Sequence, residues 1–244
     1  MKISICIPMY NEVSTVADTA VQLTRELDDY CDVSGDTYEI IFSDDGSTDG
    51  TFDAIPTTEA VGSKHGVIIP FKGEVNLGKG AAVKHAMLKS TGDLTMYTDC
   101  DLAYGTSVIP EAVNIMKTRD AQMLVGSRAI HPKGYEGYTF IRRLASKTYI
   151  RILCLLTGVR TTDSQCGFKM FTRGAADSIF TLAETNGWAF DLELFLLAKR
   201  DGIKIAEMPV TIVNHRESRI SVMRDSFKML REILRIKKRV KGLK

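Results

Sequence analysis

Long apolar runs are missing from this 244-residue chain. "MKISICIPMYNE" opens with an apolar stretch too short for a signal peptide or anchor, and it passes at once into polar residues. The longest later candidate, "YIRILCLLTGV", is broken by Arg151 and falls far short of the roughly 20 apolar residues a spanning helix needs. The chain is therefore read as soluble, or as lying on a membrane surface. Cysteine is sparse: Cys6, Cys31, Cys100, Cys154 and Cys166 are odd in number and scattered, with no CxxC pair. That argues against a disulfide framework or zinc cage and fits a reducing compartment. His65, His85, His131 and His215 show no metal-ligand spacing. GxGxxG after the first strand and GxxxxGK[ST] are both absent, which argues against a nicotinamide dehydrogenase and a P-loop enzyme. No internal repeat, low-complexity segment or linker divides the chain.

The rest of the composition is ordinary: with 44% hydrophobic and 25% charged residues, a chain of this length buries a sizeable core. Net charge is only +2 but unevenly spread. From Arg219 to Lys244 ten lysines and arginines face only Asp225 and Glu232, a local +8 that leaves −6 on the first 218 residues. Such a tail meets an anionic partner, membrane or nucleic acid, or is a solvated helix face. It carries no reader motif, so nucleic acid is not an expected partner, and a nucleic-acid-binding protein stands as the rival reading from another class.

Strand-like runs at 2–8, 38–43, 66–71, 93–98 and 121–126 alternate with helical patterns at 14–30, about 51–60, 79–90 and 106–118. Ile/Val-rich strands with helical crossovers predict an α/β fold with a mostly parallel, Rossmann-like central sheet covered by helices on both faces. Residues 127–138 lack apolar periodicity and read as a mobile loop. Beyond it, 138–158 reads as a helix, "FKMFTR" as a strand, 174–182 and 189–200 as helices, 203–213 as a last strand and the tail from Ser221 as a helix.

In open α/β sheets ligands bind beyond the carboxyl ends of the strands. Those ends here carry "PMYNE", "SDDGSTDGT", "FKGEVNLGKG", "TDCDLAYG" and "GSR". Asp99 and Asp101 stand one residue apart where a buried strand stops. Side by side they repel, and each loses hydration in a recessed site. They read either as a strand end open to water or as a divalent-metal site that neutralises both charges. Asp44 and Asp45 can accept a base N–H or a ribose hydroxyl, with Gly46 permitting the tight turn. Tyr10 can stack on a base, and Glu12 can accept. "NLGKGAAVKHA" reads as a phosphate-binding turn, with glycines for close approach, Lys79 for charge and a helix start. Cys100 reads as a small filler, and Trp188 and Phe190 as core aromatics or as groups lining a sugar or lipid path.

Taken in order and spacing, "ISICIPMYNE", "IIFSDDGSTDGT", "NLGKGAAVKHAMLKSTGDLTMYTDCDLA" and "GSR" resemble the inverting glycosyltransferases of family 2, with the GT-A fold. "TDSQCGFKMFTR", "WAFDLELFLLAKRDGIKIAEMPV" and "ESR" narrow the likeness to the dolichyl-phosphate glucosyltransferase and mannosyltransferase group, nearer the glucosyltransferase branch. The resemblance implies transfer of a hexose from a nucleotide sugar, UDP-glucose before GDP-mannose, to a polyprenyl or dolichyl monophosphate. It implies that Asp99 and Asp101 hold Mg²⁺ or Mn²⁺ against the diphosphate, with Asp101 the direct ligand. Mannosyltransferase relatives have Gln two residues after the second Asp; here that position is Ala103. It implies further that Pro8, Tyr10, Glu12, Asp44, Asp45, Lys79 and Asp99 surround the nucleotide, and Gln165 and Trp188 the sugar. Arg142 and Ser146, helped by Arg128, Arg216 and Arg219, would grip the acceptor phosphate. Asp163 is the candidate base if the acceptor is a sugar hydroxyl instead.

The expected division is a GT-A domain over 1–218 and a basic amphipathic helix over 219–244. Arg143, Lys147 and Arg151 fall four apart beside Phe140, Ile141, Leu144 and Ile150. In the tail, Met223, Phe227, Leu230 and Leu234 are flanked by Arg224, Lys228, Arg231 and Arg235. Both stripes have the composition of helices lying in an anionic membrane interface, which implies a peripheral protein on the cytoplasmic face. Packing on the core or on a second copy, as a homodimer, is the alternative.

Overall fold

Ile3, Ile5, Ile7 and Met9 alternate with Ser4, Cys6 and Pro8 along strand β1 (Lys2–Met9), and both sets are buried. A strand covered on both faces belongs inside a parallel sheet. β1 lies there, parallel to β2 (Thr37–Asp44) on one side and to β4 (Leu94–Tyr97) on the other. With β3 (Gly66–Lys72), β5 (Met123–Ser127), β6 (Lys169–Thr172) and β7 (Ile205–Pro209), the seven strands form one sheet in the order β3-β2-β1-β4-β6-β5-β7. This computed structural model describes residues 1–136, 138–187, 189–214 and 222–243, and only the backbone of 140–142, 145 and 222–230.

β6 runs antiparallel to both its neighbours, whereas every other pairing is parallel. Its N-terminal end therefore lies level with the carboxyl ends of the rest. "DSQCGF", which precedes β6, is delivered to the same edge as the segments that follow β1, β2, β4 and β5.

The helices divide between the two faces. α1 (Val16–Ser34) and α4 (Val108–Thr118) lay Val16, Ala20, Leu23, Leu27, Ile109, Ala112 and Val113 against Ile3, Ile5, Ile40 and Phe42. On the other face α3 (Lys79–Lys89), α6 (Arg173–Leu182) and α7 (Phe190–Arg200) pack on Cys6, Ile41, Tyr97 and Phe171. Each fully buried Val, Leu, Ile or Phe contributes about 1.5–3 kcal/mol relative to exposure. α5 (Phe140–Thr157) and α8 (Val222–Gly242) complete this layer.

The element reading from sequence holds with four local differences. Pro56 divides the expected helix at 51–60 into a 3-10 turn (Phe52–Ala54) and a one-turn helix, α2 (Thr58–Val61). α1 runs on to Ser34 and stops at Gly35, whose left-handed backbone lets its N–H reach the Cys31 carbonyl. β7 ends at Pro209, so 210–214 is a loop. In α8 the buried residues are Ile233, Ile236 and Val240, while Leu234 of the expected stripe is exposed. The side chains of Met223, Arg224, Phe227, Lys228 and Leu230 lie outside the described residues, as do those of Phe140 and Ile141 on α5. Arg239 ties α8 to the buried Glu193 of α7. No helix among the described residues is long and apolar enough to cross a membrane.

Candidate active site at the carboxyl edge of the sheet

Asp99 follows β4 by two residues and pairs with the Lys79 ammonium from the start of α3. Its carboxylate lies on the backbone of Gly167, where a Cβ would come within 2.9 Å of the Asp99 Cγ. That close approach is why a glycine stands in "CGFK". Burial works to lower the pKa of Lys79, but Asp99, Asp191 and Asp101 outweigh it and hold the ammonium above its ordinary range. Asp101 accepts the Ala103 N–H at 3.1 Å, and Asn214 Nδ2 donates to the carbonyls of Asp101 (3.2 Å) and Leu102 (3.1 Å). Between them Leu102 sits at φ +47°, a left-handed conformation that costs a leucine about 1–2 kcal/mol. Cys100 is buried as a filler, its carbonyl accepting from Thr19 Oγ1 at 2.5 Å.

The nucleotide-side residues have local partners. Asp44 accepts from the Ser47 N–H and hydroxyl, closing the "DDGS" turn. Asp45 accepts the N–H groups of Leu77 (3.0 Å) and Gly78 (2.7 Å). Tyr10 is exposed beyond β1, and the Glu12 N–H donates to Thr51 Oγ1 at 2.7 Å. Pro8 is buried within β1, paired with Ser43.

The phosphate-binding turn read into "NLGKG" is not what these backbone amides do. Leu77 and Gly78 donate to Asp45, Gly80 donates to the Asn186 carbonyl at 2.8 Å, and Ala81 turns back on the Gly78 carbonyl. Gly78, at φ +108°, has no room for a Cβ because the Asn186 carbonyl would stand 2.6 Å away. The glycines serve backbone-to-backbone packing against 185–187, and the helix start places Lys79 at Asp99. The spacing of a phosphate turn and of a packing turn is the same, so only the partner segment distinguishes them.

Arg128, just past β5, grips Asp163 with two parallel hydrogen bonds, Nε to Oδ2 at 2.6 Å and Nη2 to Oδ1 at 2.8 Å. Its remaining Nη1 donates to the Tyr138 hydroxyl at 2.9 Å. Burial alone would ease the guanidinium's proton off; the Asp163 hydrogen bonds reverse this and leave Arg128 firmly charged. Both oxygens of Asp163 face this cation, which opposes a general-base role. Gln165 is half-buried on the segment between Asp163 and Gly167, and Ser146 is half-buried on α5. Trp188, Arg216, Arg219 and the Arg142 side chain lie outside the described residues. Phe190 is core, packed against the Tyr97 ring at 5.9 Å.

Sequence reading missed the group beneath the site. Lys169 of β6 is fully buried, and its ammonium donates to Asp191 (2.6 Å) and to the Cys166 carbonyl (2.7 Å). The Tyr97 hydroxyl donates to the same Asp191 oxygen at 2.6 Å. Burial first, then Asp191, raises the Tyr97 pKa well above its ordinary range. The available signal was charge inside two apolar runs, Lys169 in "FKMF" and Asp191 and Glu193 in "FDLELF".

Asp99 and Asp101 fit a divalent cation in donor chemistry: hard oxygens, with the Lys79 ammonium already standing as a cation on one of them. Among the described residues no group of three or more His, Cys, Asp or Glu side chains is placed to hold a metal ion, and Mg²⁺ sites commonly add substrate phosphates and water to one or two carboxylates. The buried pair below makes a testable demand. Asp191→Asn, by leaving Lys169 uncompensated, is expected to cost about 3–5 kcal/mol of stability by urea denaturation. Asp191→Asn with Lys169→Met should recover much of that loss, and additive losses would contradict the pairing.

Comparison with known proteins gives this edge its context. The chain is 29% identical over 250 residues to the dolichyl-phosphate beta-glucosyltransferase of Saccharomyces cerevisiae, covering 96% of this chain and 74% of that protein. It is 31% identical to the same-named enzyme of Dictyostelium discoideum, covering 96% and 73%. Against glycosyltransferase AglD of Haloferax volcanii it is 28% identical over 96% of its own length, but spans only 37% of that protein. The fold matches glucosyl-3-phosphoglycerate synthase of Mycobacterium tuberculosis, solved with Mn²⁺, UDP and glucosyl-3-phosphoglycerate, at a TM-score of 0.67 and 20% identity, covering 100% of this chain and 81% of that one. Mannosyl-3-phosphoglycerate synthase of Rubrobacter xylanophilus gives a TM-score of 0.67 at 17% identity, covering 98% and 73%. The family model for glycosyl transferase family 2 matches residues 4–180, so the sheet, its acidic edge and the crossovers that build it belong to a member of glycosyl transferase family 2.

Proposed function

We propose that the chain transfers glucose from UDP-glucose, with GDP-mannose the next candidate donor, to a polyprenyl or dolichyl monophosphate. The observation that carries this reading is the Arg128–Asp163 pair. The carboxylate best placed to act as a base has both oxygens on a guanidinium, so an acceptor that brings its own anionic nucleophile suits the site. A phosphomonoester does so, since its second pKa is about 6. The dolichyl-phosphate glucosyltransferases to which the chain is similar support the same acceptor class.

In this reading an acceptor phosphate oxygen attacks the anomeric carbon as the nucleoside diphosphate departs from the opposite face, inverting the configuration. Asp44, Asp45, Pro8, Tyr10 and Glu12 surround the base and ribose, Lys79 meets the diphosphate, and Asp99 meets the ribose or a metal-bound water. Asp101 is the principal ligand for Mg²⁺ or Mn²⁺, which when bound supplies Lewis-acid stabilisation of the leaving diphosphate. Gln165 and Trp188 line the sugar pocket. Arg128, Arg142 and Ser146, with Arg216 and Arg219, screen the repulsion between donor and acceptor phosphates. Catalysis then rests on positioning and charge rather than on proton removal.

The polar and apolar residues exposed on the last two long helices extend the proposal to a membrane surface. On α5, Leu144, Ile152 and Leu155 are exposed beside Arg151, and on α8 Leu234 is exposed beside Arg231 and Arg235. Basic residues near an anionic surface contribute on the order of 1 kcal/mol each. Peripheral attachment on a cytoplasmic face follows from this reading. The protein is expected to float with anionic vesicles at low salt and to stay behind with neutral ones; failure to float with either contradicts attachment.

The reaction itself is tested by offering labelled UDP-glucose, UDP-galactose, UDP-GlcNAc and GDP-mannose with a polyprenyl phosphate and Mg²⁺ or Mn²⁺. UDP-glucose is expected to label the lipid, and Asp101→Ala or EDTA to reduce the rate by about 100-fold or more. Metal-dependent hydrolysis of a donor with no lipid labelled would instead favour a sugar-hydroxyl acceptor.

A further inference from the structure

Glu193 and Arg239 serve none of the roles above, yet a single loop links them to Lys79. Glu193, on α7, is fully buried. One of its oxygens, Oε2, accepts the backbone N–H groups of Glu184 (2.9 Å) and Thr185 (2.7 Å). The other, Oε1, accepts from Arg239 Nη2 of α8, and the same nitrogen donates to the Leu182 carbonyl at 3.1 Å. A carboxylate taken out of water is strongly penalised without such partners. α8 therefore supplies the counter-charge for the group that shapes the backbone just after α6.

That stretch of backbone is what α3 starts on. Gly80 donates its N–H to the Asn186 carbonyl at 2.8 Å. A Cβ on Gly80 would stand 2.7 Å from the Phe190 Cβ and 2.9 Å from the Asn186 carbonyl oxygen, and one on Gly78 would stand 2.6 Å from that same oxygen. One turn further along the helix, Lys84 Nζ donates to the Ala183 carbonyl at 2.6 Å. Contact at the two glycines is backbone on backbone, with no side chain between to absorb a shift. Lys79 is the residue between them, and its ammonium pairs with Asp99. Where 183–187 lies therefore decides where Lys79 lies.

We propose that Glu193 and Arg239 are positioning residues for Lys79, which makes α8 a support of the donor site as well as a surface helix. Arg239 neutralises Glu193, Glu193 holds the amides of Glu184 and Thr185, and the loop they begin sets the first turn of α3. A division of the chain at residue 218 would separate this support from the site it serves. That Lys79 then meets a nucleotide diphosphate rests on the function proposed above; the link from α8 to α3 does not.

Calorimetric titration of the full chain with UDP and Mg²⁺ tests the link. Arg239→Gln is expected to weaken UDP binding about fivefold or more, but by less than about twofold once Lys79→Ala has removed the group being positioned. Glu193→Met with Arg239→Met leaves no charge buried and keeps the apolar volume, so it should retain its melting temperature and still show the fivefold loss. Ile236→Ala removes buried packing from the same helix without touching the ion pair. It should lower the melting temperature yet leave UDP affinity within about twofold. Equal losses with and without Lys79, or a loss as large in Ile236→Ala, would make α8 structural only and overturn the proposal. Hydrogen exchange at the Gly80 amide reads the same link with no nucleotide present. Relative to the amides of β1, it should quicken about fivefold or more in the paired methionine variant and stay unchanged in Ile236→Ala. A Gly80 amide unchanged in both overturns the proposal. A native chain that binds no UDP, while Gly80 still responds, refutes the function alone. UDP binding intact in the native chain and indifferent to both Arg239 variants refutes the positioning role alone.

Discussion

Asp99 and Asp101 end a buried strand one residue apart, and the arrangement around them manages that concentration of negative charge. Lys79 sits on Asp99, held there by the turn that Gly78 and Gly80 pack against 185–187. Beneath, Asp191 is compensated by Lys169, and beside it Asp163 by Arg128. Asp99, Asp163 and Asp191 are thus each matched by a named cation within hydrogen-bonding distance. Unpaired, any of them would carry a desolvation penalty of several kcal/mol. Asp101 keeps its place through backbone contacts, with its own oxygen on the Ala103 amide and a strained Leu102 pinned by Asn214. Strain maintained by specific hydrogen bonds is the usual mark of a position fixed for chemistry rather than for stability.

The direction of one strand decides which segments meet there. Because β6 is antiparallel, "DSQCGF" reaches the edge from below rather than above, and Gly167 slides under Asp99. The same reversal puts Lys169 at the level of Tyr97, where it meets Asp191 from α7. One topological choice thus supplies both the Asp163 partner for Arg128 and the buried counter-charge below the acidic pair.

Much of this was legible in the sequence because it follows from periodicity. The isoleucine-rich runs at 2–8 and 38–43 suit buried strands, and α1 announces itself through Val16, Ala20, Leu23 and Leu27. The order of polar segments at strand ends then places Asp44, Asp45, Asp99, Asp101 and Arg128 on one edge. What pattern alone could not give was partner identity. "NLGKG" has the chemistry of a phosphate turn, but its amides face Asp45 and Asn186, a relation between segments about 30 and 110 residues apart that no local spacing encodes. Lys169 and Asp191 each looked like an interruption of an apolar run; only the strand order makes them a pair. The apolar spacing of 51–60 suits a helix, and Pro56 breaks it into two short turns.

In the proposed function the acidic edge shares a cation with a substrate diphosphate, and Asp99 and Asp101 are the two carboxylates that would hold it. The most direct measurement is Mn²⁺ binding, followed by electron paramagnetic resonance, with and without UDP. Weak binding of Mn²⁺ alone is expected, strengthened at least about tenfold by UDP, with that coupling lost in Asp101→Ala, because linked ligands must strengthen each other equally. Mn²⁺ affinity indifferent to UDP, or coupling undiminished without the Asp101 carboxylate, would contradict it.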